Sequence, residues 1–380
     1  MIQEERLKQT FCDLVRIYAP SGDECAVRDY LKTRLKKIGA RVTEDGAGEA
    51  SGGKCGNLIA VFPATAEGMP GIAFTAHMDC VENCRDIEPV LEDGVFRSKG
   101  DTILGGDDKA GVAAIVEALT VMKETMIPHG KVEAIFTVQE ETSLAGSRHF
   151  DGKHAEGIDF GYVLDADGAP GTLVTQGPGE YQVTCTMRGR AAHAGIAPEK
   201  GVNAVRMAAL AISRMPDGRI DEETTCNTGV IEGGRATNIV PETCCIHAEA
   251  RSLDKEKLLA VVRAMEAALR SAEDDFPEGR AEVETKELYE GFRIPEDHAL
   301  VRLFRAACAE KGFPVRIGKT GGGSDANWFH KNAFPSALIG VGMTDFHTSG
   351  ESLREKDLCD TAELVYAIIE AGAHFGAHEK

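Results

Sequence analysis

No stretch of the 380-residue sequence stays apolar for the roughly 18 residues that a membrane-spanning helix requires. The opening segment, MIQEERLKQTFCDLVRIYAPSG, holds no apolar signal core either, so a cytoplasmic address away from membranes is the expectation. Basic residues are in deficit: 42 Lys and Arg stand against 61 Asp and Glu, a formal net charge of −19. That balance excludes a nucleic-acid partner, whose phosphates need Lys and Arg. The 11 cysteines include no CxxC pair; the nearest neighbours are Cys80 with Cys84 and the adjacent Cys244 and Cys245. Such thiols suit neither a disulfide framework nor a thiolate zinc site and read as reduced, mostly buried residues. Phosphate signatures are missing too. Neither Gly105-Gly106 nor Gly321-Gly322-Gly323 completes GxGxxG after a strand, and no P-loop lysine pattern appears.

What is present begins with apolar material, 43% of the residues, enough to bury the core of two domains or one large one. Residues 24–38 place Val27, Tyr30, Leu31, Leu35 and Ile38 on one helical face, with Ser21 and Glu24 as a capping box. The apolar runs 57–62, 71–75 and 135–138 predict buried strands, and residues 108–122 predict a helix. Strands apolar on both faces and separated by helices imply a doubly wound α/β sheet. From about Gly179 the order changes to strand 181–187, helix 202–214, strands 225–231 and 243–250, helix 254–271 and strand 281–288. This is the β-α-β-β-α-β, ferredoxin-like arrangement. The α/β pattern then resumes with a helix at 297–311, a strand at 336–341 and a final amphipathic helix. The reading is one α/β domain, residues 1–178 and 291–380, interrupted by an α+β domain at 179–290.

Acids and histidines collect just past the strands. His77 and Asp79 follow the run at 71–75, Asp107 opens the helix, Glu140 and Glu141 follow 135–138, Asp165 ends 162–164, and His347 follows 336–341. In a doubly wound sheet, ligands bind beyond the carboxyl ends of the strands. Two imidazoles and three carboxylates suit zinc, cobalt or manganese, and one bridging carboxylate lets five side chains serve two ions. A free carboxylate is still needed as a base. Side chains alternate along a strand, so Glu141 can face a metal while Glu140 leaves in another direction. Singly, each feature has a plainer reading: a structural histidine, a solvated pair of glutamates, or Asp107-Asp108 as a helix cap. Their joint placement at successive strand ends points to a metal site.

The segments TAHMD (75–79), TILGGDDKAG (102–111), TVQEETSLAG (137–146), YVLDADG (162–168), GRAAHAG (189–195), GGRATNIVPE (233–242), GGGSDAN (321–327) and FHTSGE (346–351) carry a resemblance. Together they resemble the M20 family of metallopeptidases, and within it the peptidase T-like proteins. The resemblance implies a zinc-exopeptidase-type catalytic domain with two zinc ions and an inserted lid that forms a homodimer. It implies His77 and Asp165 on one ion, Glu141 and His347 on the other, Asp107 bridging, Asp79 holding the His77 imidazole, and Glu140 as general base. Asp165 is preferred to Asp167 because it directly ends the apolar run. In the lid, His193 would reach a partner subunit's site, and Asn238 and Arg251 would contact the substrate's polar ends. Arg251 has a surface ion pair as its alternative. Gly323 and Ser324 would line the pocket, with Asp325 either beside them or a helix cap.

This sequence departs from the family at Cys80, which stands where threonine usually follows HxD and reads as inert packing. A shorter stretch between His77 and Asp107 than in peptidase T leaves tripeptide preference open. The implied function is removal of the N-terminal residue from short peptides. An amidohydrolase, deacylase or carboxypeptidase could use the same ligands. A non-catalytic metal-binding protein is the alternative from another class, and the unligated Glu140 speaks against it.

Overall fold

In the computed structural model, which describes residues 1–375, the strands Ile72–His77, Val132–Thr137 and Ser336–Gly340 are buried at every position. Near-continuous apolar strands are what a sheet covered on both faces demands. Arg41–Glu44, Leu58–Phe62, Val132–Thr137, Ile72–His77, Phe160–Ala166, Ser336–Gly340 and Thr172–Gly177 lie side by side in that order. The four from Val132–Thr137 to Ser336–Gly340 run parallel, and antiparallel strands flank them. Their carboxyl ends therefore share one edge. Register aligns these ends: His77 pairs with Thr137 and Thr75 with Val163, so Asp165, two residues on, stands level with His77.

Helix Gly106–Thr125 packs on Ile72–His77 and against the last helix, Glu355–Gly372. It is buried from Gly106 through Leu119 because apolar neighbours surround it on every side. Asp107 and Asp108 have non-helical backbone angles and are joined by a cis peptide bond, so regular turns begin only after them. A small sheet went unforeseen. The hairpin Pro89–Glu92 and Val95–Ser98 pairs with Ser352–Arg354, which pairs in turn with Met343–Thr344. Residues 345–351, with His347, thereby become a hairpin loop.

The chain divides into two compact units: Met1–Gln176 with Arg293–Lys319 and the segment from Ser324 onward, and Gly177–Phe292 with Thr320–Gly323. In the second unit, strands Arg280–Tyr289, Gly179–Arg188, Thr243–Ser252 and Thr224–Gly233 form an antiparallel sheet in that order, extended by Gly218–Arg219. Helices Ala204–Ile212 and Lys255–Arg270 pack on it through Met207, Ala211, Val262, Met265 and Leu269. Asn203 and Asp254 cap them, accepting hydrogen bonds from the backbone N–H groups of Arg206 and Lys257. The fold is thus the doubly wound mixed sheet with a β-α-β-β-α-β insertion that the sequence pattern implied. Among the described residues no helix is long and apolar enough to cross a membrane.

Ser21 and Glu24 do not form the predicted capping box. Helix Cys25–Lys37 has no side-chain cap; the Ser21 hydroxyl donates to Asp79 Oδ2 at 2.6 Å, and Glu24 accepts from the N–H groups of Gly22 and Gln139. Both side chains found partners across the fold, which a local pattern cannot anticipate.

Candidate metal centre

His77 ends a central strand and is buried. Its Nδ1 lies 3.1 Å from the Asp79 backbone oxygen, and its Nε2 lies 3.0 Å from Asp107 Oδ1 and 3.8 Å from Asp165 Oδ1. The other oxygen of Asp107, Oδ2, is 3.2 Å from His347 Nε2, which is also 2.9 Å from Glu141 Oε1. Ligand atoms of His77, Glu140 and Asp165 lie within 4.8 Å of one another, as do those of His77, Asp107 and Glu141. Among the predicted residues, Asp79, Glu140 and the five candidate ligands are therefore neighbours.

The acids are crowded. Burial pushes the pKa of Glu140 up, and nearby Asp325, Glu141 and Asp79 add to the rise. Burial does the same at Asp165, with Glu140 and Asp107 reinforcing it. At His77 burial opposes the charged imidazole, but hydrogen bonds to Asp107 and Asp79 outweigh it and push the pKa up. Hydrogen bonds to Asp107 and Glu141 push His347 up to about 10. Carboxylates gathered this closely call for more positive charge than two imidazoles provide. The donor set, imidazole nitrogens with carboxylate oxygens, fits a borderline divalent cation.

Residues 73–371 match peptidase family M20/M25/M40. The chain belongs to that family. It is 42% identical to the structure of aminopeptidase PepT from Bacillus cereus, with 98% of this chain and 99% of that one covered and a TM-score of 0.90. It is 37% identical to a tripeptidase from Staphylococcus aureus, covering 98% of this chain and 100% of that one, with a TM-score of 0.93. Carboxypeptidase G2 from Pseudomonas is 29% identical over 97% of this chain and 89% of that protein. The M20 chain is accordingly a metal-dependent hydrolase, peptidase T-like and of exopeptidase type.

Two features of this M20 peptidase differ from the pattern-based reading. The strand ends at Thr137, so Glu140 and Glu141 sit on a turn, with Gln139 at φ +52. Their different directions come from that turn and not from strand alternation. Asp79 is also more than a support for His77. Its Oδ1 accepts the N–H of Glu140 at 3.1 Å and its Oδ2 that of Glu141 at 3.2 Å. Burial opposes its charge, but hydrogen bonds from His77, Ser21 and this turn keep its pKa below the usual range.

Asp167 is exposed, whereas Asp165 is in the cluster. Of Asp107-Asp108, only Asp108 acts as a cap: its Oδ1 accepts the N–H of Gly111 and its Oδ2 that of His77. Cys80 is buried and accepts a contact from the buried Lys109 Nζ at 3.1 Å, and burial pushes its thiol up to about 11. Ser324 caps helix Asp325–Asn332 in a box with Asn327, so Asp325 is not the cap; it is buried and accepts from Thr137 Oγ1.

His193, Asn238, Arg251 and Gly323 belong to the second unit. His193 and Asn238 are exposed on adjoining loops, joined by a hydrogen bond from the N–H of Ala194 to the Asn238 oxygen. Arg251 pairs with Glu249 at 3.0 Å and Glu180 at 3.3 Å, and Tyr289 donates to Glu180 as well. A Cβ at Gly323 would lie 2.2 Å from the Tyr289 ring, so close packing there requires a glycine. The sequence reading missed Ser21, Glu24, Asp108, Lys109 and Glu351 as neighbours of the site. An acid within reach of several loop amides leaves no local periodicity to detect. The one available signal was that Asp108, Lys109 and Glu351 lie inside segments already singled out.

Proposed function

We propose that the chain is a dinuclear aminopeptidase that removes the N-terminal residue of short peptides. The observation carrying this reading is Asp107, whose two oxygens face two imidazoles, 3.0 Å from His77 Nε2 and 3.2 Å from His347 Nε2. A carboxylate so placed can hold one ion on each oxygen. His77 and Asp165 would complete one ligand set, Glu141 and His347 the other, for zinc or alternatively cobalt or manganese. When bound, such a pair polarises the scissile carbonyl and acidifies a water.

Glu140, a buried acid beside these two sets but in neither, takes the attacking water's proton on its carboxylate and passes it to the leaving nitrogen. With an ion bound, His77 would donate its Nδ1–H to the Asp79 backbone oxygen and offer Nε2 to the metal. His193 of a partner subunit in a homodimer would donate to the developing oxyanion. Asn238 and Arg251 are read as contacts to the peptide's polar ends, and Gly323 and Ser324 as pocket lining. The reading places the enzyme in the cytoplasm. Similarity to the Bacillus cereus aminopeptidase and the Staphylococcus aureus tripeptidase supports the aminopeptidase reading. Similarity to carboxypeptidase G2 favours a second one, cleavage next to a free carboxylate.

The test is cleavage of matched tripeptides with free, acetylated or amidated ends by the metal-reconstituted protein, with products identified by mass. Release of one N-terminal residue from free-amine peptides alone is the expected result. Cleavage of N-acylated substrates that requires a free carboxylate would replace it with the second reading.

A further inference from the structure

One buried acid of the first unit has no part in that reaction. Glu351 is 2% exposed and follows His347 by four residues, at the end of the same hairpin loop. Its Oε2 accepts hydrogen bonds from the backbone N–H groups of Leu104 and Gly105, each at 2.8 Å, and its Oε1 accepts from that of Asp107 at 2.9 Å. The glycines of this segment make the approach possible. Gly105 has φ +73, and a Cβ at Gly106 would lie 3.1 Å from Glu351 Oε1. The His347 imidazole, by contrast, is 46% exposed, and its residue has φ +63. Little apolar burial fixes this ligand in place. Its loop is anchored by a carboxylate that reaches across to the Asp107 segment.

We propose that Glu351 is a positioning residue that ties the His347 loop to the Asp107 segment and so sets the half of the metal centre made by Asp107, Glu141 and His347. The inference rests on the reading of those three residues as ligands. The physical reason lies in the kind of bond. Hydrogen bonds to a carboxylate are short, strong and directional, and burial removes competing water. Three of them fix where Asp107 begins relative to the loop that carries His347. His77 needs no such tie, because it ends a central strand paired on both sides. Loss of Glu351 should therefore act unequally on the two ions.

Glutamine at this position keeps the size but offers one oxygen, and its amide N–H₂ would face backbone N–H donors. The experiment titrates Co²⁺ into the metal-free full chain by calorimetry, following the visible spectrum of the bound ion and the unfolding temperature of the metal-free protein. Because Asp107 serves both ions, Glu351→Gln is expected to bind one Co²⁺ within a few-fold of the unmodified protein and the second about 10–100-fold more weakly, with the larger spectral change at that second ion. Gly106→Ala keeps the carboxylate but displaces it, and should change the second ion in the same direction. It decides the matter if Glu351→Gln fails to fold. Unchanged affinities and spectra, or equal weakening of both ions, would overturn the positioning role. An unmodified protein that never binds two Co²⁺ would instead remove the ligand reading, and this inference with it.

Discussion

In the second unit, Val183, Met187, Met207, Ile246, Met265 and Leu269 fill the interior, and charges such as Arg188 with Glu282 and Arg190 with Glu278 pair where they are exposed. At the carboxyl edge of the first unit's sheet the interior itself is charged, with Asp79, Asp107, Asp108, Glu140 and Glu351 all buried. The contrast separates two ways of holding a chain in place. Apolar side chains contribute roughly 1.5–3 kcal/mol each when fully buried, without direction, while exposed ion pairs contribute about 0–1 kcal/mol. A buried carboxylate stabilises the fold only when its oxygens are used, and those of Asp79, Asp108 and Glu351 are used on backbone amides. Asp79 takes those of Glu140 and Glu141, Glu24 that of Gln139, Asp108 those of His77 and Gly111, and Glu351 those of Leu104, Gly105 and Asp107. These bonds fix loops that no apolar residue could orient. At this edge the first unit uses polar burial to place atoms, whereas its own strands and the second unit rely on apolar burial for stability.

If that division is sound, Glu140→Ala should cost at least about a hundredfold in kcat, while calorimetry still finds the metal ions bound. Activity within tenfold of the unmodified enzyme would mean that the base lies elsewhere. Leu269→Ala, in the second unit's core, should lower stability by about 2–5 kcal/mol in denaturant unfolding and leave metal affinity untouched. A matching fall in metal affinity would break the division. Asp79→Asn sharpens it from the other side. One of two acceptor oxygens becomes a donor facing the N–H of Glu140 or Glu141, and a 10–100-fold loss in rate or metal affinity is expected. A variant with normal rate and affinity would show that the turn holds its shape unaided.

The smallest effect belongs to Asp221 in the second unit. The N–H of Glu223, helped by Lys257, holds its pKa down to about 2. A depressed carboxylate pKa contributes stability above its unfolded value of about 3.9, and that contribution is lost as pH falls toward about 2. Asp221→Asn should therefore flatten part of the fall in stability between about pH 4 and pH 2. An identical acid profile for both proteins would rule the contribution out.

The central strands were legible because burial on both faces leaves long apolar runs. The insertion was legible from its change in the order of strands and helices. The hairpin at 89–98 was not, since its short strands alternate weakly and gain their stability from Ser352–Arg354, distant in sequence. The candidate ligands could be named because each closely follows a strand or opens a helix, and parallel strands bring their ends to one edge. Ser21 and Glu24 were misread because a capping pattern is local, while their partners Asp79 and Gln139 lie just past strands distant in sequence.

Composition and apolar periodicity thus determined the architecture, and strand-end chemistry determined which residues could meet. Register and loop anchoring decided how they meet. Asp107 faces both His77 and His347 where a hairpin loop brings His347 to its helix start, and Glu140 and Glu141 leave a turn whose two amides Asp79 accepts. Those are contacts between residues far apart in the chain. A one-dimensional pattern records side-chain character but not which amide a distant carboxylate will reach.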